Sequence, residues 1–98
     1  MTGIELIAQE REDQLTKHGF SAGFDADFNS MAQLREAVIH LVNNEIDHIK
    51  DENVLALCPA KWESHLWLKM CRKPIKERLS IAGALVAAEI DRLQFISA

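Results

Sequence analysis

The last quarter of the chain constrains the fold most strongly, because its apolar residues recur at helical spacing in two adjacent rows. Pro74 suits the first turn of such a helix, where its missing N–H is not needed. An apolar face this broad, rich in small residues, allows close helix approach on two sides. We predict a central third helix over residues 74–95. The rows are Ile75, Leu79, Ala82, Val86, Ile90, Leu93 and Ile81, Leu85, Ala88.

The first predicted helix covers residues 3–18. Thr2 and Glu5 have the spacing of a capping box, in which the hydroxyl and the carboxylate each accept a backbone N–H of the first turn. Gly19 is a natural stop, because glycine adopts the left-handed conformation at little cost. The apolar stripe of this helix comprises Ile4, Ile7, Ala8 and Leu15.

The second predicted helix begins at a second capping box, formed by Ser30 and Gln33. Its stripe runs for more than four turns, and the polar residues 51–53 are expected to end it. The fold predicted from these features is a compact all-α bundle of three long helices plus a short tryptophan-bearing connector helix. The stripe comprises Leu34, Ala37, Val38, Leu41, Val42, Ile46 and Ile49.

Three connecting segments lack a clear helical period. Residues 19–30 are predicted as an ordered loop anchored by phenylalanines, whose Asx-turns would cap the second helix. Residues 54–58 are expected to form a short turn or an extended connector. Residues 60–73 are predicted to contain one short amphipathic helix. The loop carries Phe20, Phe24, Phe28, Asp25, Asp27 and Asn29, and the short helix carries Trp62, Leu66, Trp67 and Met70.

Composition restricts the class of protein. The chain has 98 residues, 48% of them apolar, and a net charge of −4, which favours one domain over residues 1–98 and no nucleic acid partner. We expect no membrane association, since no apolar run reaches the ~18 residues of a membrane helix. The first residues lack the features of a secretory signal. Two cysteines, Cys58 and Cys71, indicate a reducing compartment, so the expected location is cytoplasmic.

The order of the polar motifs resembles a small bacteriophage and prophage family of all-helical proteins without an established activity. The similarity covers nearly the whole chain. In the first half it rests on Glu10, Arg11, Asp13, Gln14, Lys17, Gly19, Phe20, Asp25, Leu34 and Ala37, and in the second half on Trp67, Lys69 and residues 79–85 and 88–93. The resemblance carries no activity over to this chain. The favoured hypothesis is a phage-type accessory protein, acting as a non-enzymatic binding module for a small nucleotide or a host or phage partner protein.

Members of that family are sometimes compared with the all-α nucleotide pyrophosphohydrolases similar to MazG, which implies a second hypothesis. Those enzymes hold magnesium with carboxylates spaced three apart on two helices. The predicted second helix has no such pair, and Arg92 stands three residues after Glu89, where the second carboxylate would be. The hydrolase alternative therefore ranks second, and only it would require magnesium. Its candidate residues are Glu10, Asp13, Glu36 and Glu89.

Arg11 lies on the apolar stripe of the first predicted helix, where an unpaired guanidinium would be costly. Its predicted partner is Glu89, beside the apolar face of the third helix. The favoured interpretation is a structural ion pair. The alternative places both residues in a pocket where Arg11 binds an anionic or planar group. The full set of ligand-binding candidates is Glu10, Arg11, Gln14, Asp25, Glu89, Arg92, Trp67 and Lys69.

Metal binding is not expected. Asp25 begins an alternation typical of a calcium loop, but Ser30 occupies the sixth position, where the loop needs glycine. One Glu-x-x-His motif is too few for a di-iron bundle, which needs two copies and two further glutamates. The weak candidates are Glu36, His40, Glu45 and His48.

Two surfaces are predicted to make contacts. Trp62 and Trp67 lie in the one basic region, where they either anchor the connector to the core or form a docking surface that stacks on a nucleotide base. The third helix has more apolar and small-residue face than its neighbours would cover, which predicts a homodimer.

Overall fold

The computed structural model describes residues 1–97, which form six α-helices, one 3-10 helix and no strand. The all-α prediction is therefore confirmed for this part of the chain. The elements are α1 Gly3–Lys17, α2 Ala22–Phe28, α3 Gln33–Leu41, a 3-10 helix Asn44–His48, α4 Asp51–Ala56, α5 Ser64–Cys71 and α6 Ile75–Ser97.

The long helix α6 is the element against which α1, α2 and α3 all pack. The helix α5 packs against α4 and α3. Small residues allow this crowding: a Cβ atom on Gly83 would lie 2.6 Å from Cδ1 of Ile7, so α1 crosses α6 at the glycine. The buried core comprises Leu34, Ala37, Leu41, Ile46, Val54, Trp67, Cys71, Ile81, Ala82, Ala84, Leu85 and Ala88.

The predicted start of the first helix is confirmed. The Glu5 N–H donates to Thr2 Oγ1 over 3.2 Å, and the Thr2 N–H donates to Glu5 Oε1 over 2.8 Å. The helix ends at Lys17, and Gly19 follows with a φ of +68°, as expected for a residue that turns the chain away from a helix.

The prediction of a loop over residues 19–30 is wrong, because α2 occupies most of it. Ser21 caps this helix, accepting the Phe24 N–H over 3.2 Å. The spacing of four between the phenylalanines is helical, so Phe20, just before the helix, and Phe24 and Phe28 within it stack their rings in a row. Gly19 turns the chain just before this helix, whereas Gly23 lies inside it, so the presence of glycine did not distinguish loop from helix here.

The second predicted capping box is also wrong. The helix α3 starts after Ala32, whose φ is +68°, and no side chain caps it. The Gln33 carboxamide instead accepts the Met31 N–H over 2.6 Å and donates to the Phe28 carbonyl over 3.0 Å. The expected Asx-turns that cap this helix are absent from the described segment, because Asp25 lies inside α2.

The second predicted helix is interrupted. The helix α3 ends at Leu41, a 3-10 helix follows, and residues 51–53, expected to end the helix, begin α4. Acidic side chains in the first turn of α4 suit the positive end of its dipole. A short helix in the connector is confirmed as α5, which starts at Ser64, so Trp62 lies outside it. The bundle thus has six α-helices within residues 1–97 instead of three long ones and one short one.

Candidate functional site

A cavity of about 490 Å³ lies among α1, α2, α5 and α6 and the segment that precedes α5. Its volume falls within the range of roughly 300–1,000 Å³ that is usual for small-molecule sites. The helix α6 contributes Ile81, Leu85 and Ala88 to its lining, and α3 contributes Leu34. The lining is therefore apolar over most of its area, which favours a ligand with an apolar or aromatic face.

Aromatic rings line two sides of the cavity. The rings of Phe20, Phe24 and Phe28 stack with centroid separations of 5.4 and 5.0 Å. The indoles of Trp62 and Trp67 meet edge to face at 6.0 Å. All five residues line the cavity. Such rings can stack on a planar ligand.

The side chain of Asp25 is the most deeply buried carboxyl group in this lining. Only 1% of the residue is exposed. Its Oδ1 accepts from Asn29 Nδ2 over 2.7 Å, and Asn29 Oδ1 accepts in turn from Trp62 Nε1 over 2.7 Å. Its Oδ2 is buried and accepts no hydrogen bond from the described residues. An unsatisfied buried carboxylate oxygen costs stability.

The electrostatic surroundings of Asp25 act in opposite directions. Burial raises the pKa of Asp25 above its ordinary 3.8, while the hydrogen bond from Asn29 and the charges of Arg11 and Arg92 oppose the rise. The nearby charge of Glu89 adds to it. The two guanidinium groups thus favour the ionised carboxylate in a place where desolvation disfavours it.

The predicted ion pair between Arg11 and Glu89 is wrong. Arg11 Nη2 lies 2.9 Å from Asp91 Oδ2, whereas Glu89 is bound by Arg92 and by Arg35, whose Nε lies 2.8 Å from Glu89 Oε2. Residues two apart on a helix point about 200° from each other. Asp91 therefore faces α1, and Glu89 faces α3.

The ionic groups next to the cavity have balanced charges. Arg11, Arg35 and Arg92 carry three positive charges, and Asp25, Glu89 and Asp91 carry three negative charges. Arg11 also donates to the Phe20 carbonyl over 3.1 Å and so connects this cluster to the aromatic row. The cluster, called here the ionic cluster, needs no charged ligand for neutrality.

Three lysines, Lys61, Lys69 and Lys73, contribute to the lining of the cavity. None of them has an ion-pair partner within 4 Å among residues 1–97. The carboxylate of Glu63, also in the lining, accepts the His65 and Leu66 N–H groups, and these bonds lower its pKa. The lysines are therefore available to an anion, in contrast to the arginines of the ionic cluster.

The eight candidate ligand residues fall into two groups. Five of them line the cavity, and the other three belong to the ionic cluster, of which Asp25 is also a member. The lining group is Glu10, Gln14, Asp25, Trp67 and Lys69, and the other group is Arg11, Glu89 and Arg92. Sequence reasoning missed Asn29 and Lys73 as lining residues. The regular phenylalanine spacing was the available signal for the aromatic wall.

The metal candidates do not converge. No group of three or more histidine, cysteine or acidic side chains that could hold a metal ion occurs in the described residues. Glu36, Glu45 and His48 are exposed, and the ring of the half-buried His40 meets that of Trp67 edge to face at 6.2 Å. Asp25 lies in the helix α2, so the alternating residues that begin with it do not form a calcium-binding loop.

The carboxylates of the hydrolase hypothesis have different surroundings. Glu10 lines the cavity, whereas Glu89 is bound by two arginines. Asp13 accepts from Gln9 and lies 3.4 Å from the Lys17 amine.

No helix in residues 1–97 is both long enough and apolar enough to span a membrane. No protein-family model matches the chain, and no curated protein or solved structure is significantly similar to it. The cavity and its lining are therefore the basis for a functional conclusion.

Proposed function

We propose that the chain is a non-enzymatic module that binds a small nucleotide in the cavity beside α2 and α5. The observation that carries this proposal is the combination, in one lining, of aromatic rings and of lysines without an ion-pair partner among residues 1–97. The resemblance to a bacteriophage family supports a role as an accessory protein that senses or delivers such a ligand.

Two chemical parts of a nucleotide, the base and the phosphate, match two parts of the lining. A base has a flat apolar face for the rings near Phe24 and Trp62. A phosphate carries charge for Lys69 and Lys73, which lack partners in the described chain. A purely apolar ligand would leave the lysines without a role.

The hydrolase alternative has less support. Magnesium prefers carboxylate oxygens that are free to coordinate it. Glu89 is shared between Arg35 and Arg92, and Asp13 is paired with Lys17. Binding without turnover is therefore the better account of this set of side chains.

Nucleoside monophosphates are expected to raise the melting temperature in a thermal-shift titration, because a ligand of the native state stabilises it by mass action. The double variant Lys69→Ala/Lys73→Ala is expected to lower the affinity about 100-fold or more, since it removes two charge-assisted phosphate contacts worth about 1.5–3 kcal/mol each, and about 1.4 kcal/mol is tenfold. The matched control is Lys50→Ala/Lys76→Ala, which removes the same charge from exposed positions outside the cavity lining.

Two results would contradict the proposal. Equal weakening by the control pair would show nonspecific attraction, and no shift with any nucleotide would show that the cavity has another ligand. Release of pyrophosphate from nucleoside triphosphates and magnesium, abolished by Glu89→Gln, would instead establish the hydrolase alternative.

We further propose that the chain forms a homodimer through α6. Supporting this, α6 exposes an apolar stripe whose members include Leu79, Val86, Ile90 and Leu93, each 45–50% exposed. Their spacing of seven, four and three residues is that of a helix-pairing seam. A second copy of α6 offers an identical surface, as a twofold interface requires.

Sedimentation is expected to give twice the chain mass of 11.1 kDa. Ile90→Lys is expected to yield the monomer, because it places a charge in the seam. Glu77→Lys, at an exposed position two residues before Leu79 and so about 200° around the helix from it, is expected to leave the dimer intact. A monomeric wild-type protein at micromolar concentrations would refute the dimer.

A further inference from the structure

We infer that the nucleotide bound in the cavity is a nucleoside monophosphate, and that carboxylates next to the lining lysines select against di- and triphosphates. This inference rests on the proposed nucleotide function and adds the number of phosphates. It follows from the charges of the accessible groups in the lining and from a second, smaller cavity that adjoins the first.

The charged side chains of the lining leave a small excess of positive charge, once Asp25 is counted with the neutral ionic cluster. Three lysines accompany two glutamates, Glu10 and Glu63. All five residues are exposed or half-buried, so burial does not withhold any of them from a ligand. A phosphate monoester carries a charge of about −1.5 to −2 at pH 7. Each further phosphate adds a negative charge that the lining does not offset.

The phosphate is expected to bind at the C-terminal end of α5. Lys69 lies in the last turn of this helix, and the turn continues through Lys73, whose N–H donates to the Met70 carbonyl over 3.2 Å. Residues four apart in such a turn have Cβ atoms about 5–6 Å from each other, so two flexible ammonium groups can contact one phosphate. Lys61 precedes the helix, which has eight residues and is about 12 Å long.

A second cavity adjoins the first at this end of α5. It has a volume of about 330 Å³, and Glu10, Lys73 and Ile81 line both cavities. Among the described residues that line it, Lys73 is the one lysine or arginine, whereas Glu10 and Glu77 are carboxylates. A phosphate chain that extended past Lys73 would therefore enter a space with two negative charges and no further cation.

A phosphate chain that extended toward the other end of α5 would also meet a carboxylate. Lys61 lies there, but Glu63 is close to it in sequence and caps the helix, accepting the His65 and Leu66 N–H groups over 3.0 and 2.7 Å. These bonds lower the pKa of Glu63, so its carboxylate is ionised at neutral pH. Like charges placed next to a ligand select against it as effectively as opposite charges select for it. Both directions therefore disfavour a second and a third phosphate.

Calorimetric titrations of GMP, GDP and GTP in the presence of EDTA test the inference, because these ligands share one base and one sugar and differ only in the number of phosphates. GMP is expected to bind most tightly and GTP at least about tenfold more weakly, since juxtaposed like charges oppose binding. The adenosine, cytidine and uridine series repeat the comparison with the other bases.

Glu10→Gln/Glu77→Gln removes both carboxylates of the second cavity and keeps the size of the side chains. The ratio of GMP affinity to GTP affinity is expected to fall below about threefold in this variant. The matched control is Glu12→Gln/Glu52→Gln, which removes the same charge from exposed positions outside both linings and is expected to keep the wild-type ratio. Melting temperatures without ligand report whether each variant folds. The single variant Glu77→Gln, at an exposed position, is expected to give an intermediate ratio.

Magnesium separates this inference from the hydrolase alternative. The two carboxylates of the second cavity are fewer than the three metal-binding side chains of a metal site, and no such group of three occurs in residues 1–97. Addition of Mg²⁺ is therefore expected not to make GTP bind more tightly than GMP.

The outcomes separate the two claims. GTP that binds as tightly as GMP without metal, or more tightly than GMP with magnesium, would overturn the monophosphate inference and leave the nucleotide proposal standing. An unchanged ratio in a folded Glu10→Gln/Glu77→Gln protein would also overturn it. Failure of every nucleotide to bind would remove both claims.

Discussion

Replacing Trp67 by alanine is expected to lower the free energy of unfolding by about 3–5 kcal/mol, the usual cost of truncating a fully buried large aromatic residue. Trp67 is 0% exposed and belongs to the core, where α5 packs against α4. Its Nε1 donates to the Val54 carbonyl over 2.9 Å, and its ring meets that of Trp62. The substitution therefore removes packing and a buried hydrogen bond together.

Urea denaturation followed by circular dichroism measures the Trp67 effect. Trp67→Phe restores most of the ring volume but not the donor, so it is expected to cost about 1–3 kcal/mol. The matched control is Leu66→Ala in the same helix, where the residue is 60% exposed and a loss below about 1 kcal/mol is expected. A loss of similar size at both positions would contradict the placement of α5.

Replacing Arg78 by alanine is expected to cost about 2–4 kcal/mol, because its buried guanidinium holds three chain segments together. It donates to the Leu41 carbonyl over 3.0 Å, to the Lys73 carbonyl over 2.9 Å and to both oxygens of Asp47. Without it, the two carbonyls lose their charged donor, and each unsatisfied group costs about 1–3 kcal/mol.

Chemical denaturation with a two-state fit measures this cost as well. Arg78→Lys keeps the charge but has no planar fork of donors, so it is expected to recover less than half of the loss. Lys76→Ala, on an exposed position of the same helix, is expected to change stability by no more than about 0.5 kcal/mol. A stability change for Arg78→Ala as small as that of the control would show that this guanidinium does not join the segments.

The first and last helices could be predicted because their signals are local. The capping box of Thr2 and Glu5 lies in one turn, and the longer apolar row of the last helix runs for about five turns, from Ile75 to Leu93. The row of Ile81, Leu85 and Ala88 is buried against several neighbours, as this pattern predicts, whereas most of the other row is half-exposed.

The interruption of the second predicted helix could not be predicted, because its causes are distant in sequence. Apolar periodicity continues from Leu41 to Ile49, yet the chain turns after α3, and Arg78 binds both the Leu41 carbonyl and Asp47. Those partners are 37 and 31 residues away. Tertiary hydrogen bonding thus overrode a helical pattern that was locally consistent.

The candidate site could be predicted only in part, because most of its contacts join residues that are distant in sequence. Arg11 is recognisable in the sequence as a charged residue on an apolar stripe, and it is buried. Apolar periodicity does not give the rotation of α6 relative to α1, so it could not show that Asp91, and not Glu89, faces Arg11. The relay from Trp62 through Asn29 to Asp25 joins the connector segment to residues predicted as a loop, 33 residues away in sequence, so no local periodicity could reveal it.

The indole N–H signals of the protein test the nucleotide-binding cavity most directly. The chain has two tryptophans, and both line the cavity, so a heteronuclear NMR titration with GMP follows two signals that both report on the site. The account predicts a saturable shift of the Trp62 signal, whose N–H bonds the residue that orients Asp25, with the same apparent Kd as calorimetry. Indole signals that stay in place while GMP binds elsewhere, or does not bind, would contradict it.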